Sequence, residues 1–198
     1  MNQENQRVIL TRQRLEYALL AMLKTRTIHQ ISIRELSARA GINRTTFYNH
    51  YGSQYELLDD ISRRYLASVA ERLNSAEIPS RESIRQRVTL VLHYIADHIE
   101  LSALLMNNSI DPTFAERLFS LQQITELLNA ALGECHDPRE REATIAFTIH
   151  GSFRLLQEWI NQPDRIPPEE QAMLMLRLAR RACGGASDAS DVGRADGI

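Results

Sequence analysis

A dense run of hydrogen-bonding side chains lies between residues 43 and 51 of this sequence. Arginine, threonine, tyrosine, asparagine and histidine follow one another there, and no carboxylate interrupts them. Such groups donate to phosphate oxygens and pair with the edges of nucleotide bases. These side chains therefore predict a protein that binds nucleic acid by hydrogen bonds and does not catalyse a reaction on it. The side chains concerned are Arg44, Thr45, Thr46, Tyr48, Asn49 and His50.

Patterns typical of enzymes and metal sites are absent from the sequence. It contains no phosphate-cradling glycine loop, no Gly-x-Ser-x-Gly motif and no His-Glu-x-x-His motif. His93 and His98 are five residues apart and do not share a helix face well. Cys135 and His136 are adjacent, but no third ligand or base stands at a recognisable spacing from them. We therefore expect no catalytic activity, no metal and no cofactor, with Cys135 and Cys183 as free thiols.

Two short helices are predicted to hold the polar run in place. Ser32 and Glu35 form a capping-box pattern that opens the first helix. Gly41 suits the left-handed residue that ends this helix, and Asn43 can cap the next one. The second helix can then enter a DNA major groove, so we predict a helix-turn-helix over residues 32–51. A plain helical hairpin with a glycine turn is the alternative. The residues expected to be buried between the two helices are Leu36, Ile42 and Phe47.

The charge distribution favours the DNA-binding interpretation. The whole chain has a formal net charge of −2, which by itself does not suggest a nucleic-acid partner. Residues 1–54, however, carry eight arginines and lysines against three glutamates, and the remainder is acidic. A basic segment beside an acidic one is the asymmetry expected when one end of a protein meets phosphates.

Helical periodicity continues through the rest of the chain, so the predicted fold class is all-α. Apolar spacing predicts a first helix over about residues 11–24. Ser53 and Glu56 form a second capping-box pattern, which opens a fourth helix that extends to Leu73. The pattern breaks over residues 74–79, and this break is the expected domain boundary.

Proline and glycine punctuate the second part of the chain. Asp111-Pro112 predicts the start of one helix that continues to Gly133, and Asp137-Pro138 predicts the start of the next. A last helix is expected from about Pro167 to Cys183. We predict four segments: a flexible arm (1–9), a helix-turn-helix DNA-binding domain (10–70), a helical ligand-binding and dimerisation domain (75–183) and a disordered tail (184–198).

The segment from about Arg7 to Leu66 resembles the tetracycline-repressor-like (TetR/AcrR) family of transcriptional regulators. The likeness is strongest in Ala-Gly-Ile at 40–42, Thr-Phe-Tyr-Asn-His-Tyr at 46–51 and Ser-x-x-Glu-Leu-Leu at 53–58. The resemblance implies a three-helix DNA-binding domain joined through a fourth helix to a helical regulatory and dimerisation domain. It also implies a homodimer on a near-palindromic DNA operator, most often a repressor released by a small-molecule effector.

Roles for single residues follow from this resemblance. Tyr48 and His50 match positions that hold phosphates, and Phe47 matches a core position. Gln54 stands where the family usually has a phosphate-binding lysine, so a weaker contact is expected there. The family also tends to have glycine after the first helix, where this chain has Arg26-Thr27. The predicted DNA-contacting set is Arg34, Arg44, Thr45, Thr46, Tyr48, Asn49, His50 and Gln54.

The resemblance also implies that the last two long helices, over about 137–162 and 168–183, form the dimer interface. The alternative is that they only close the core of their own domain. Gly151 lies inside a helical pattern, which costs about 1 kcal/mol relative to alanine, and close approach of another helix is one reason to keep it. Aromatic and other large side chains of this domain are candidates for a ligand pocket, although such spacing is also typical of a core. They are Tyr94, Met106, Phe114, Phe119, Phe147, His150, Phe153 and Trp159.

Two further expectations concern the setting of the protein. No apolar run approaches the roughly 20 residues that span a bilayer, and residues 1–14 lack the pattern of a signal peptide, so we expect a cytoplasmic protein without membrane contact. A different class of function also stays open, in which the second domain docks on a protein partner and the chain acts as a coactivator.

Overall fold

The computed structural model describes residues 3–74, 80–107, 109–132 and 137–182, and these ranges contain helices but no β-strand. The first four helices form the region in which the helix-turn-helix was predicted. The remaining six form a second helical layer that packs on α4. The helices are α1 (Gln3–Leu23), α2 (Ile33–Ala40), α3 (Arg44–Tyr48), α4 (Gln54–Leu73), α5 (Arg81–Asp97), α6 (Ile99–Leu105), α7 (Phe114–Phe119), α8 (Gln122–Leu132), α9 (Pro138–Asn161) and α10 (Pro168–Ala182).

The core of the first domain confirms the predicted three-helix arrangement. Leu15 and Leu19 of α1 and Leu36 of α2 are fully buried, and α1 packs against both α2 and α4. The first helix begins much earlier than predicted, because residues 3–9 are helical and do not form a separate arm. These residues include no glycine or proline to break the helix, and Gln6, Arg7 and Ile9 are exposed, which explains why apolar periodicity missed this part of the helix.

Helix α4 joins the two domains. The Ser53 Oγ accepts a hydrogen bond from the Glu56 backbone N–H at 3.2 Å, which confirms the predicted helix start. The second hydrogen bond of a capping box would join the Glu56 carboxylate to the Ser53 backbone N–H. Here the Glu56 carboxylate accepts instead from the Gly52 backbone N–H at 2.7 Å. One face of α4 is buried along its whole length, from Leu57 to Leu73. The helix therefore contacts both domains.

The predicted single helix after residue 111 is two helices, α7 and α8. Asp111 is buried, and its carboxylate accepts hydrogen bonds from the Ser62 hydroxyl at 3.0 Å and from the Thr113 backbone N–H at 3.1 Å. The aspartate thus ties α4 to the start of α7, whose N-cap is Thr113. A break at residues 120–121 separates α7 from α8. The predicted continuous helix is therefore wrong at its start, which is Phe114, and at residues 120–121, where the chain leaves the helix before α8.

Helices α9 and α10 begin close to the predicted positions. The Asp137 carboxylate accepts from the Arg139 backbone N–H at 2.9 Å and caps α9, as the Asp-Pro pair predicted. Helix α10 packs against α5, α8 and α9 and closes the second domain. Cys135, Cys183 and the predicted tail at 184–198 lie outside the described residues. In the part of the chain that is described, no single helix has the length and apolarity needed to cross a membrane; α5 and α6 meet that test only as a pair bent by 98°.

Candidate nucleic-acid interface

The turn between α2 and α3 has the local geometry that the sequence predicted. Ser32 Oγ accepts from the Glu35 backbone N–H at 3.2 Å, and the Glu35 carboxylate accepts from the Ser32 backbone N–H at 3.3 Å. Hydrogen bonds from Ser32, followed by the contact with Arg26, hold the pKa of Glu35 below its usual value. Gly41 ends α2 with φ 66°, in the left-handed region that favours glycine. The capping box and the glycine C-cap are therefore both confirmed.

Helix α3 is short and is anchored from its buried side. The Asn43 carboxamide oxygen accepts from the Thr46 backbone N–H at 2.6 Å and caps the helix. Phe47 is completely buried and Tyr51 nearly so, while the Tyr51 hydroxyl donates to Asp60 of α4 at 2.9 Å. The helix ends at Tyr48, before the predicted end at Tyr51. Helix α3 packs against α2, and the residue Tyr51 just beyond its end is tied to α4, which leaves the opposite face of α3 to solvent.

The predicted DNA-contacting residues of this segment lie on that outer face. Tyr48 has 57% of its side chain exposed, which is unusual for an aromatic residue beside a core. Arg44, Thr45 and Asn49 are also exposed. The other two predicted residues of the 43–51 segment, Thr46 and His50, are half-buried. The face therefore presents an arginine, a hydroxyl, a phenol and an amide to whatever approaches α3.

A polar cleft brings residues of three helices together beside α3. Arg34 of α2, Arg44 and Tyr48 of α3 and Gln54 of α4 line it, and the Ser32 cap lies at its edge. Four residues of the predicted set thus converge, although they span 21 positions in sequence. Two guanidinium groups, a phenol and an amide can all donate hydrogen bonds to an anion such as a phosphate.

The arginines of this surface are free to meet an anion. Among the described residues, Arg34, Arg39 and Arg44 form no ion pair. Other arginines differ, because Arg26 pairs with a glutamate of α2 at 3.2 Å and Arg64 pairs with one of α1 at 2.8 Å. Arg39 is outside the predicted set and does not line the cleft; it is exposed in the last turn of α2.

The predicted ligand-pocket residues are mostly placed elsewhere. The cavity of the second domain, about 130 Å³, is lined by Met106 and Phe119 but by no other candidate. Phe147 is 70% exposed, and His150 is also exposed on α9. The other four candidates are core residues with partners of their own. Tyr94 packs against the Arg72 guanidinium, Phe114 against Tyr65 and Phe153 against Phe119, while Trp159 donates to the Ile166 carbonyl at 2.8 Å.

The position of most candidates away from the cavity has a physical reason. Large aromatic side chains fill a core well and leave little space around themselves. The cavity is surrounded instead by aliphatic residues whose sequence spacing is that of any buried helix face. Within the described ranges, no three His, Cys, Asp or Glu side chains come together in a way that could hold a metal ion.

Comparison with known proteins assigns both domains to one family. Residues 18–61 match the family described as bacterial regulatory proteins, tetR family, and residues 82–181 match the family described as transcriptional regulator C-terminal region. An uncharacterized HTH-type transcriptional regulator of Bacillus subtilis, YxbF, is 32% identical over 85 residues. These residues are 42% of this chain and 22% of YxbF, so the chain spans about a fifth of this relative.

Solved structures share the fold over most of the chain. A TetR transcriptional regulator from Streptococcus agalactiae has a TM-score of 0.65 at 17% identity and covers 89% of this chain and 97% of its own. A tetR-family regulator from Streptomyces coelicolor has a TM-score of 0.58 at 19% identity, over 86% of this chain and 81% of its own. The dihydroxyacetone kinase operon activator DhaS has a TM-score of 0.56 at 20% identity, over 89% of this chain and 97% of its own.

Proposed function

The chain belongs to the TetR family of bacterial regulatory proteins and is a DNA-binding transcriptional regulator, and from this premise we propose a homodimeric repressor that a small molecule releases from its operator. The observation that carries the DNA-binding part of the proposal is the cleft formed by Arg34, Arg44, Tyr48 and Gln54. It adjoins the exposed face of α3, and its two arginines form no ion pair with any residue that the structure describes.

In this proposal α3 enters the major groove of DNA. Thr45 and Asn49, together with Arg44 and Thr46, would reach base edges from the outer face of the helix. Tyr48, His50 and the side chains of the cleft would hold the phosphates on either side of the groove. Phe47 fixes the approach because it is buried and ties α3 to the rest of the domain.

DNA binding by this face can be tested with the full chain. We would measure fluorescence anisotropy on the DNA upstream of its own gene and on operator sequences selected from a random pool. Thr45→Ala and Tyr48→Ala should each weaken operator binding about tenfold and leave the thermal unfolding midpoint unchanged, since both side chains are exposed. Leu90→Ala, an exposed position on α5, serves as the matched control. Normal affinity in the Thr45 and Tyr48 variants would contradict the assigned face.

The exposed apolar side chains of α9 and α10 support a homodimer. Phe147 of α9 is 70% exposed, and Met173 and Leu178 of α10 are 49% and 40% exposed. An added Cβ at Gly151 would meet no heavy atom within 4 Å in the described chain, so the groove beside this glycine is open to another helix. Exposed apolar groups of this kind are typical of protein interfaces. A dimer would place two α3 helices on the two halves of a near-palindromic site.

The dimer can be tested with a charge placed on α9. We expect Phe147→Glu to convert the dimer to a monomer in size-exclusion chromatography with light scattering, because pairing would bury the added carboxylates. Operator affinity should fall with it. Leu90→Glu introduces the same charge at an exposed apolar position of α5, 53% exposed, and should stay dimeric. A dimeric Phe147→Glu variant would place the interface elsewhere.

Helix α4 offers a direct route from the second domain to the DNA. Its first residue, Gln54, lines the polar cleft, whereas Tyr65, Val69 and Leu73 line the apolar cavity. A rigid helix of 20 residues, about 30 Å long, thus connects the two sites. A molecule that enters the cavity and displaces the last turns of α4 would also move the cleft, which accounts for release of the DNA in this proposal.

A further inference from the structure

The apolar cavity has a clear chemical character. It lies between α4, α5, α7, α8, α9 and α10 and has a volume of about 130 Å³. No charged side chain lines it among the described residues. Aliphatic residues such as Val88, Leu127 and Leu176 form nearly all of its surface. A charged molecule would lose its hydration there without gaining an opposite charge, so the cavity excludes ions.

One hydroxyl group in this cavity lacks a partner. Thr148 of α9 lines the cavity and is only 5% exposed, yet its Oγ1 forms no hydrogen bond within the described structure. Tyr65 also lines the cavity, but its hydroxyl is already bonded to Ser102 Oγ at 2.6 Å. A buried hydroxyl without a hydrogen-bond partner is destabilising, so Thr148 is the position where a bound molecule gains most from a polar atom.

A second hydroxyl lies beside it on the same wall. Ser152 follows Thr148 by one helical turn and also lines the cavity. Residues four apart lie on the same face of a helix, so both side chains belong to the α9 wall of the cavity. The surface that the cavity exposes is almost entirely apolar, so a bound molecule meets hydroxyl groups on this wall only by local rotation of these two side chains.

We propose that this cavity binds a neutral, mainly apolar small molecule about the size of one aromatic ring, whose single hydrogen-bonding group meets Thr148. Its volume is close to that of the roughly 150 Å³ apolar cavities that accept benzene. The inference rests on the proposed function in one respect only, namely that the bound molecule is the effector that regulates DNA binding. Binding itself is a property of the cavity and can be measured without DNA.

Three probes of similar size and different polarity test the proposal by isothermal titration calorimetry on the full chain. Toluene is apolar, phenol replaces its methyl group with a hydroxyl, and benzoate carries a charge. We expect phenol and toluene to bind and benzoate to bind at least a hundredfold more weakly. Thr148→Val keeps the side-chain shape and should weaken phenol binding about fivefold, the effect of one hydrogen bond, without weakening toluene binding.

A cavity-filling variant supplies the control for position. Val88→Phe adds a ring to the cavity wall and should abolish binding of phenol and toluene. Leu90→Phe adds nearly the same bulk two residues later, on the exposed face of α5, and should leave both affinities unchanged. Circular dichroism and thermal unfolding establish whether each variant is folded. If Val88→Phe does not fold, Thr148→Val alone tests the proposed site.

Several results would overturn the inference. They are benzoate binding as tight as phenol binding, a phenol-to-toluene affinity ratio that Thr148→Val leaves unchanged, and failure of both neutral probes to bind.

Operator titrations with and without phenol separate this inference from the proposed function. Probes that bind in the cavity without weakening operator binding refute the effector role and leave the site intact. Operator binding without binding of any probe refutes the proposed ligand site and leaves the DNA-binding function intact.

Discussion

A lysine at position 54 should tighten operator binding and make it more sensitive to salt. Gln54 is the first residue of α4, is half-buried and lines the cleft with Arg34, Arg44 and Tyr48. If this cleft holds a phosphate, the neutral amide contributes one hydrogen bond but no charge. The substitution Gln54→Lys keeps a donor of similar length at the same place and adds a positive charge.

The expected magnitude follows from the number of added charges. A charge-assisted hydrogen bond exceeds a neutral one by about 1 kcal/mol, so two half-sites give roughly a thirtyfold gain for a dimer. Each new phosphate contact steepens the plot of log affinity against log salt by about 0.9, or about 1.8 for the dimer. The gain should therefore shrink about twelvefold between 50 and 200 mM salt. The lysine also faces the positive end of the α4 dipole, which should cost a few tenths of a kcal/mol in stability.

The assay is fluorescence anisotropy on a labelled operator at several salt concentrations. The wild-type chain, Gln54→Lys and Gln54→Met are compared, and methionine should weaken binding since it removes the donor without adding charge. Gln86→Lys makes the same change at an exposed position on α5, far along the chain from the cleft. It tests whether added net charge alone changes DNA affinity.

The salt dependence decides the outcome. A Gln54→Lys variant with the wild-type slope does not make a new phosphate contact, and the proposed role of the cleft is then wrong. The same conclusion follows if Gln86→Lys steepens the slope as much as Gln54→Lys does. A tighter complex with an unchanged slope would indicate that Gln54 contacts a base and not a phosphate.

Three further predictions concern the scaffold of the two domains. Gly41→Ala forces a side chain into the left-handed region and should lower the free energy of unfolding by about 1 kcal/mol or more in urea titrations. Asp111→Ala leaves the buried Ser62 hydroxyl of α4 and the Thr113 backbone N–H without their acceptor and should cost about 2–3 kcal/mol, whereas Asp59→Ala, at an exposed ion pair, should cost under about 1 kcal/mol. Burial, and then the hydrogen bond to Asp60, raises the pKa of Tyr51 to about 12. The neutral Tyr51 side chain therefore stabilises the fold fully below about pH 10, and this stabilisation is lost as the pH rises to about 12. Between these pH values the free energy of unfolding should fall more steeply in the wild type than in Tyr51→Phe.

Interactions between near neighbours in the chain were predictable from the sequence. Ser32 with Glu35, Gly41 and Asn43 define the ends of α2 and the start of α3, and each acts on backbone groups within four residues. Such contacts depend on residue type and spacing alone. The outer face of α3 was predictable for the same reason, since burial of Phe47 determines which side chains point away.

Contacts between distant segments were not predictable in this way. Asp111 looked like a helix cap, but its carboxylate bonds to Ser62, 49 residues earlier, and the helix begins at a different place. The aromatic residues looked like a pocket, but Tyr94 and Trp159 fill the core, while Phe147 lies on the surface. Periodicity shows that a helix face is apolar without showing which other faces it meets.

The sequence by itself thus determined the helix-turn-helix, its caps and its exposed polar side chains, because these depend on local backbone hydrogen bonds and on one period of 3.6 residues. Only the tertiary structure brought Arg34, Arg44, Tyr48 and Gln54 into one cleft and left Thr148 unsatisfied beside a cavity. Both sites form where several helices meet, and their positions depend on how side chains far apart in the chain fill the space between those helices.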